Sequence, residues 1–493
     1  MNIALLLPVV FPIVMGVLIQ PLKLHDRKTR QIYVAATVII NFLMVLFLAI
    51  NAPDGTKMTI LHLNRVVDIS LQIDGMSRLI SIIAGFLWCT AAFYSFEYIK
   101  HEGMDERYFT FFTATVGVLI GISYSANLQT LYLFYEMMTL ITFPLVMHSM
   151  AEQSVKAGKK YLTYSFVGAT IALAGFFFLA EFCETTDFKA GGTLLLDKVN
   201  GSGHMLLFQI MVLLTIIGFG CKGGMFPLHA WLPNAHPVAP APASAVLSGV
   251  ITKMGVLAIV RVIYYMVGVD FLRGTWVQYV LLSLTLYTVF MGSMLAFKEK
   301  LFKKRLAYSS VSQVSYVLFG IMTMNPTGFI GACLHIVAHA TVKNILFLSA
   351  GAIIYKRHKT YVTELTGIGK EMPITLWCFS LASIALVGIP PTGGFESKWY
   401  LATGALEAEI GFFSYLGPAV LLTSAFLTAG YLLPIMAKGF FPGADYPYES
   451  FRKTEVNAYM TVPLVVLTVI AICSGIFVNP LYNFFSSIAA TIF

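Results

Sequence analysis

Long apolar runs, separated by short polar segments, occupy almost the whole chain. An apolar run of about 20 residues is long enough to cross the hydrocarbon core of a bilayer, roughly 30 Å thick, as a helix. The pattern therefore predicts an all-α polytopic membrane protein with about 14 transmembrane helices. The fourteen runs lie at residues 3–20, 31–50, 75–98, 108–124, 127–149, 161–180, 205–232, 241–266, 274–297, 304–324, 327–354, 374–407, 412–437 and 457–490.

Glycine and proline interrupt two of these runs. The seventh is broken at Gly223, Gly224 and Pro227, directly after Lys222, and the twelfth is broken at 388–394. A broken helix leaves backbone groups unpaired, which is tolerated at membrane depth only where they face protein or water. The two breaks therefore predict a buried, hydrated path through the protein rather than plain anchoring helices.

The two interrupted runs lie five runs apart, which indicates an internal repeat. Paired breaks at matching positions are typical of transporters that are built from inverted repeats. A repeat that crosses the membrane an odd number of times ends on the opposite face, so the next repeat starts there and is inverted. We therefore expect two inverted five-helix repeats, at runs 4–8 and 9–13. The chain then divides into an N-terminal three-helix segment at 1–107, a first repeat at 108–273, a second repeat at 274–440 and a C-terminal helix at 441–493.

The composition excludes a large soluble domain. Of the 493 residues 58% are apolar and only 11% are charged, with a mean hydropathy of +0.79, whereas soluble domains average about 25% charged residues. The six cysteines form no CxxC pair, and no phosphate loop or nucleotide fingerprint occurs, so we expect neither a metal site nor a cofactor-binding site. The first run lacks a basic start and an obvious cleavage site, and we interpret it as a retained span rather than a signal peptide.

The loop charges predict the orientation of the chain and explain its net charge of +8. Twenty-one of the 32 lysines and arginines lie on the loops that follow runs 1, 3, 5, 9, 11 and 13. The opposite loops carry only six, which are Lys57, Arg65, Arg78, Lys189, Lys198 and Arg273. Because basic loops favour the cytoplasmic side, we expect a multi-pass protein of the prokaryotic cytoplasmic membrane with both termini outside.

A single carboxylate lies deep in an uninterrupted run, at Glu136 in the fifth run. An opposite charge nearby favours the charged form of a lysine, whereas burial and like charges favour the neutral form. We interpret Glu136 as the partner of Lys222 that tunes the proton affinity of this lysine. The alternative is a structural ion pair that only holds two helices together.

Five basic residues fall inside the predicted spans: Lys222, Lys253, Arg261, Lys343 and Lys398. They cannot all be charged together in a low dielectric, so at least one lysine should be neutral part of the time. A lysine that loses its proton near neutral pH can relay a proton, whereas arginine stays charged. The alternative for Lys253 and Lys343 is snorkelling to an interface, and for Arg261, close to a span end, we prefer that interpretation.

The eleventh run carries His335, His339 and Lys343 at the spacing i, i+4, i+8, which places them on one helical face. We favour a hydrated polar stripe for proton transfer. A zinc pair without an evident third ligand and hydrogen bonds between packed helices are the alternatives. After the first break, His229 and His236 could each line the entrance to the path or cap the loop.

These residues make the chain similar to a known family. It resembles the antiporter-like membrane subunits shared by respiratory complex I, the Mrp cation/proton antiporters and the energy-converting membrane hydrogenases. Within that family it is most similar to the hydrogenase-linked branch or to the D-type subunit of the Mrp antiporters. The resemblance is carried by residues 134–137, 222–236, 239–253, 305–313, 335–343 and 388–398.

The resemblance implies fourteen helices, broken helices 7 and 12, two inverted five-helix repeats and a polar axis that crosses the membrane. In that likeness Glu136 and Lys222 form the charged pair of one half-channel, and Lys398 ends the axis. The implied proton pathway consists of Glu136, Lys222, Lys253, His335, His339, Lys343 and Lys398.

The function expected from this likeness is proton translocation by a non-redox subunit of a redox-driven membrane complex, of the energy-converting hydrogenase or complex I type. The chain would bind no cofactor itself. Its partners would be other membrane subunits, including other antiporter-like subunits, peripheral iron–sulfur subunits and the lipid bilayer, and it would bind no nucleic acid. The alternatives are the D-type subunit of an Mrp Na⁺/H⁺ antiporter and a non-conducting membrane scaffold.

Overall fold

The structure is a computed structural model that describes residues 2–63, 67–444, 446 and 452–493. Arg65, assigned above to an outer loop, and residues 445 and 447–451 of the predicted C-terminal segment lie outside the described residues. The described chain is mostly helical, as predicted, and it contains one antiparallel hairpin.

The helices follow one another with short connections. In chain order the elements are α1 (Leu7–Leu18), α2 (Arg27–Asn51), β1 (Lys57–His62), β2 (Asp68–Gln72), α3 (Gly75–Glu102), α4 (Asp105–Ser123), α5 (Leu128–Val146), α6 (Glu152–Phe182), α7 (Leu196–Ser202), α8 (Met205–Gly223), α9 (Leu232–Val238), α10 (Ala241–Val267), α11 (Val269–Leu272), α12 (Trp276–Lys298), α13 (Phe302–Met322), α14 (Pro326–Arg357), α15 (Ile368–Glu371), α16 (Pro373–Val387), α17 (Gly393–Glu407), α18 (Phe413–Phe440), α19 (Ala458–Ile476) and α20 (Val478–Ile492).

Several helices are suited to a bilayer. Nine helices in the described ranges, α2, α3, α6, α8, α10, α12, α14, α18 and α19, are long and apolar enough to cross a membrane. Helices α1 and α16 are apolar but shorter. The most apolar stretch of α10 is wholly buried and that of α14 is 94% buried, whereas only a third of that of α2 or α6 is buried. Helices α10 and α14 therefore form the centre, and α2 and α6 present apolar faces outward.

The central helices bring the predicted polar residues into the interior. Helix α8 packs against α6 and α10, and α14 packs against α13 and α17. Gly255 of α10 permits the contact with α8, because an added Cβ would lie 2.7 Å from the Phe219 carbonyl oxygen and 2.9 Å from Lys222 Cβ. A glycine at such a contact lets two helix backbones approach more closely than any other residue would.

The first predicted break lies at the end of α8. Gly224 adopts a left-handed conformation with φ +73°, which ends the helix. Trp231 Nε1 then donates to the Cys221 carbonyl oxygen at 2.8 Å, and the Phe226 amide donates to Thr288 Oγ1 at 3.1 Å. Protein groups therefore satisfy backbone atoms that the break leaves without helical partners.

The second predicted break separates α16 from α17. Gly388 is left-handed with φ +90°, and the next helix begins at Gly393. Lys398, one turn into α17, donates from Nζ to the carbonyl oxygens of Leu386 at 2.6 Å and Val387 at 2.9 Å. The Lys398 side chain thus caps the carboxyl end of α16. The last carbonyl groups of a helix have no helical partners, and their dipoles favour a positive charge nearby.

Helix α10 is irregular in two places that the sequence does not reveal. Its segments Leu247–Ile251 and Arg261–Val267 are π-helical. The first ends just before Lys253, and Arg261 begins the second. Single π turns inside α-helices occur frequently at functional sites, because they shift the side chains around them.

Two predicted run boundaries are wrong. The run at 457–490 is two helices, because Pro480 has no amide hydrogen with which to continue the hydrogen bonds of α19 beyond Ile476. Helix α6 begins at Glu152 rather than at 161, so Lys156 and Lys159 lie on its first turns instead of on a loop. One face of these turns is polar, and a search for apolar runs therefore missed them.

Candidate functional site

Lys222 lies in the last turn of α8 and is fully buried. Its Nζ donates to Tyr161 Oη at 2.7 Å and to Ser165 Oγ at 2.8 Å, both on α6. The same atom lies 4.2 Å from the centre of the Tyr161 ring and 5.7 Å from that of Trp231. Neutral hydroxyl groups and aromatic rings therefore hold this amine.

Glu136 lies on α5 and is half-buried. Its Oε1 accepts a hydrogen bond from Tyr132 Oη at 3.1 Å, and its Oε2 has no hydrogen-bond partner among the described residues. No oxygen of Glu136 lies within 4.0 Å of Lys222 Nζ, so the two groups interact electrostatically without forming a contact ion pair. The structure places the pair near one another but does not join them directly.

Lys253 and His339 are in direct contact at the centre of the protein. Lys253 Nζ lies 2.6 Å from His339 Nδ1 and donates to the Ser248 carbonyl oxygen at 2.7 Å, inside the first π segment of α10. Both side chains are buried, so neither snorkels to an interface. A lysine ammonium can only donate, so a charged Lys253 requires that Nδ1 of His339 accept and that its Nε2 carry the proton.

His335 continues the row along α14. Its ring stacks on that of His339 with the centres 6.0 Å apart, and its nitrogens contact Ser397 Oγ at 2.8 Å and Gln313 Oε1 at 3.1 Å. Lys398 follows Ser397 in the chain, and its Nζ lies 5.2 Å from the centre of the Tyr316 ring. The ring of Tyr316 also stacks on His335, so it connects this histidine with Lys398.

Lys343 shares the buried face of α14 but is hydrogen-bonded to α13 rather than to either histidine. Its Nζ donates to the Leu306 carbonyl oxygen at 3.1 Å and to Ser309 Oγ, both on α13. The side chain is fully buried, which excludes snorkelling as the explanation of this lysine. The predicted row of three residues therefore lies on one face, but only its two histidines are in contact with each other.

These buried amines form no direct ion pair with an acidic residue of the described chain. In the described part of the chain, none of Lys222, Lys253, Lys343 and Lys398 has a carboxylate oxygen within 4.0 Å. An ammonium ion without a counterion is costly in a low-dielectric interior, so the arrangement suits amines that give up and regain a proton. Residues 2–63, 67–444, 446 and 452–493 contain no group of three His, Cys, Asp or Glu residues that could hold a metal ion.

Arg261 differs from the four lysines of the predicted spans, because it has an acidic partner. Its guanidinium makes two hydrogen bonds to Asp74, with Nη1 at 2.5 Å from Oδ2 and Nη2 at 3.0 Å from Oδ1. It also lies 4.5 Å from the centre of the Tyr265 ring. The side chain is buried, so the preferred interpretation of a snorkelling Arg261 is wrong. No signal in the sequence identified Asp74 as its partner.

The two histidines after the first break do not cap the loop. His236 is fully buried against Phe347, with the ring centres 4.7 Å apart, and neither ring nitrogen has a hydrogen-bond partner in the described ranges. His229 is partly buried and stacks on Phe226. Nearby, Lys303 is buried and donates to the Pro237 carbonyl oxygen at 3.2 Å, although the sequence places it among the loop charges.

A family model covers the whole set of site residues. Residues 125–426 match the family described as NADH:quinone oxidoreductase/Mrp antiporter, TM. The chain belongs to this family. The matched range begins before Glu136 and ends after Lys398, so it contains every residue of the predicted pathway.

Individual proteins show the same likeness. NADH-quinone oxidoreductase subunit N of Desulforudis audaxviator is 31% identical over 422 residues, which is 83% of this chain and 82% of that protein. Hydrogenase-4 component B of Escherichia coli is 30% identical over 350 residues, which is 68% of this chain and 50% of that protein. A chain in the structure of the Mrp complex from Dietzia sp. has the same fold, with a TM-score of 0.84 at 20% identity, covering 100% of this chain and 98% of that chain.

The family resemblance inferred from the sequence is therefore confirmed. This protein is a multi-pass membrane protein and an antiporter-like subunit of the kind found in complex I, Mrp and hydrogenase-type complexes. The relative from Desulforudis audaxviator is named as one subunit of a quinone oxidoreductase, and the solved chain with the same fold belongs to the Mrp complex.

Proposed function

We propose that this subunit moves protons across the membrane as the non-redox part of a redox-driven complex of the complex I or energy-converting hydrogenase type. The observation that carries the proposal is the buried contact between Lys253 and His339, which His335 and Ser397 extend toward Lys398. Every member of this row can donate or accept a proton. The row connects α10 with α14 and α17 in the interior.

Lys253 and His339 together can hold one excess proton, which moves between the amine and the imidazole ring. When Lys253 is charged, it donates to the neutral ring; transfer of that proton leaves a neutral amine and an imidazolium ion. A proton on both groups at once would bring two positive charges together, and two unit charges about 4 Å apart already repel by about 4 kcal/mol at an effective dielectric of 20. An added proton is therefore driven onward to the next acceptor.

The next acceptor is His335. Its ring centre lies 6.0 Å from that of His339, so a proton passes between them through a bridging water molecule or a ring rotation. From His335 the path continues to Ser397 Oγ, 2.8 Å from Nδ1, and from there a bridging water molecule carries the proton to the amine of Lys398, the next residue in the chain. When Lys398 receives the proton, the carbonyl groups at the end of α16 stabilise the charge.

Lys222 and Glu136 serve as the entrance side of the path in this proposal. Lys222 is held by Tyr161 and Ser165, which can donate or accept a hydrogen bond, so the amine keeps its partners in either protonation state. Glu136 stands close enough for its charge to favour an ammonium at Lys222. If a charge change elsewhere in the complex weakens the attraction between Glu136 and Lys222, the Lys222 ammonium would release its proton toward Lys253. Lys343 lies beside the row and affects it through its charge.

We propose that the chain crosses the membrane fourteen times, with two inverted five-helix repeats at runs 4–8 and 9–13 and with both termini outside. Two observations support it. Each proposed repeat contains one broken helix with a lysine at the break, Lys222 at the end of α8 and Lys398 after the end of α16. The loops predicted to be cytoplasmic carry twenty-one basic residues against six on the other side.

We further propose that this subunit binds no redox cofactor and receives energy from peripheral iron–sulfur subunits, in the prokaryotic cytoplasmic membrane. Two of its relatives support such a setting, because they are named as parts of a quinone oxidoreductase and of a hydrogenase. Sodium/proton exchange in an Mrp-type complex is the second candidate, since the fold matches a chain of the Mrp complex. Proton transfer is the better match to the row, because sodium prefers oxygen ligands and the row consists mainly of nitrogen groups.

The substitution Lys222→Arg tests the proposal. Arginine retains a positive charge but does not release its proton, so we expect proton pumping to fall at least tenfold while the complex still assembles. Pumping is measured by dye quenching in inverted membrane vesicles supplied with the electron donor of the complex, and assembly by co-purification of the partner subunits. Lys159→Arg, on the exposed surface of α6, is the matched control.

Two outcomes contradict the proposal. Full pumping in Lys222→Arg would favour the non-conducting scaffold, in which this charge only holds helices together. Pumping that requires sodium in the wild type, with a proton signal that disappears when sodium is removed, would favour the Mrp-type exchanger.

A further inference from the structure

A lipid-facing groove lies away from the proton row, between α3 and α19. It has a volume of 430 Å³, and its walls are almost entirely apolar. Cys89 and Phe93 of α3 line one side, and Tyr459, Val462 and Val466 of α19 line the other. Such a groove is shaped for an extended hydrocarbon chain.

The groove continues into a basic cavity at one end. This second cavity, of 850 Å³, shares Phe93 and Tyr459 with the groove. It is lined further by Arg27 and Lys28 at the start of α2 and by Lys100 near the end of α3. The apolar groove and the basic cavity therefore form one continuous site with an apolar part and a cationic part.

The charges in the basic cavity favour an anion. Its lining includes three basic residues and one acid, Asp26, whose carboxylate accepts from the amide and hydroxyl of Thr29 at the start of α2. Arg27 is paired with Asp105, and Lys100 with Glu97. Lys28 is exposed and makes no ion pair with another described residue, so it is available to an anionic ligand.

The dimensions of the site match one leaflet of a bilayer. Cys89 and Lys100 are eleven residues apart on α3, which is about 16 Å along a helix. Half the thickness of the hydrocarbon core is about 15 Å. The groove therefore runs from the interface, where the basic residues lie, to about the middle of the membrane.

We propose that this site binds one anionic phospholipid, with its phosphate at Lys28, Lys100 and Arg27 and one acyl chain in the groove between α3 and α19. Basic pockets between membrane helices on the side of the basic loops are suited to acidic head groups. Tyr459 lies where the groove meets the basic cavity. Tyrosine is enriched in the head-group region of membranes, because its ring is apolar and its hydroxyl is polar. A bound lipid would fasten α19 to α3 at a face that the protein itself leaves open.

The test compares two photoreactive lipids of equal chain length. The intact complex, purified through a tag on this chain, is reconstituted with diazirine-labelled phosphatidylglycerol or phosphatidylcholine, and the labelled peptides are identified by mass spectrometry. We expect phosphatidylglycerol to label the groove peptides of α3 and α19 at least fivefold more than phosphatidylcholine does. Near a membrane surface each lysine contributes about a fivefold preference for an acidic lipid.

Matched variants distinguish a built site from general contact with lipid. In Lys28→Gln/Lys100→Gln the preference should fall to that of other lipid-facing peptides, whereas Lys156→Gln/Lys159→Gln on α6 should keep it. Val462→Trp should fill the groove and reduce labelling by both lipids; Val469→Trp, equally lipid-facing on the same helix, should not. Equal labelling by the two lipids in the wild type overturns the proposal. So does a cross-link from a photoreactive group at position 462 to another subunit, which would make this face a protein interface.

Discussion

At the scale of single residues, the ion pair with Asp74 distinguishes Arg261 from the four lysines inside the predicted spans. Asp74 caps the start of α3 by accepting from the Ser77 amide at 2.8 Å, and its two oxygens also hold the Arg261 guanidinium. Arginine does not release its proton, so this charge is permanent and needs its partner. The pair therefore anchors α10 to α3 instead of transferring protons.

The substitution Asp74→Asn separates these two roles, because asparagine caps a helix as well as aspartate but carries no charge. We expect it to leave Arg261 as an uncompensated buried charge and to destabilise the protein by about 3–5 kcal/mol. Thermal unfolding of the purified protein in detergent measures the loss. Asp54→Asn is the control, since Asp54 pairs with Arg78 at an exposed site and a surface pair contributes at most about 1 kcal/mol. Equal effects of the two substitutions would contradict the anchoring role.

The sequence allowed the charged residues of the site to be predicted, but not their partners. A lysine inside an apolar run is conspicuous because charges are rare at bilayer depth. Tyr161 and Ser165, which hold Lys222, are ordinary residues of a polar helix face, and Asp74 stands at the edge of a run. Partners of this kind depend on how helices pack, which residue spacing along one chain does not reveal.

At the scale of elements, the two broken helices were predicted because glycine and proline have local effects on the backbone. Gly224 and Gly388 both adopt left-handed conformations at the places where the helices end. The π segments of α10 were not predicted, since they lie inside one apolar run. The division between α19 and α20 was also missed, because residues 457–490 were predicted as one span in spite of Pro480. A search for apolar runs identifies segments that are buried in a membrane but not irregular hydrogen bonding inside them.

The contact between α10 and α8 leads to a prediction about packing. In Gly255→Ala the new methyl group would lie 2.7 Å from the Phe219 carbonyl oxygen and 2.9 Å from Lys222 Cβ, so α8 must move. Overpacking of this kind costs about 1–3 kcal/mol. We expect a lower unfolding temperature and a clear loss of pumping, because Lys222 shifts away from Tyr161. Gly201→Ala on α7, where an added Cβ meets no atom within 4 Å, is the control. Unchanged pumping in Gly255→Ala would show that the position of Lys222 is not critical.

At the scale of the whole molecule, the predicted orientation depends on the distribution of basic side chains. Asn200 of α7 lies in the segment that follows the sixth run, and Lys356 lies near the end of α14 among the basic loops. Both are exposed, and so is Asn2 at the amino end. These positions report separately on the two faces of the membrane, because α7 and the end of α14 belong to loops of opposite predicted sidedness.

Cysteine labelling in whole cells tests this orientation. The native cysteines are buried except Cys473, which is partly exposed, so each probe is introduced into a Cys473→Ser background. Since basic loops are retained on the cytoplasmic side, we expect a membrane-impermeant maleimide to label Asn2→Cys and Asn200→Cys in intact cells. Lys356→Cys should react only after the membrane is permeabilised. Labelling of Asn2→Cys together with Lys356→Cys, and not with Asn200→Cys, would leave the amino end outside but contradict the predicted sides of α7 and of the end of α14. It would mean that an odd number of crossings separates residue 2 from α7, so that the first repeat does not begin at the fourth span.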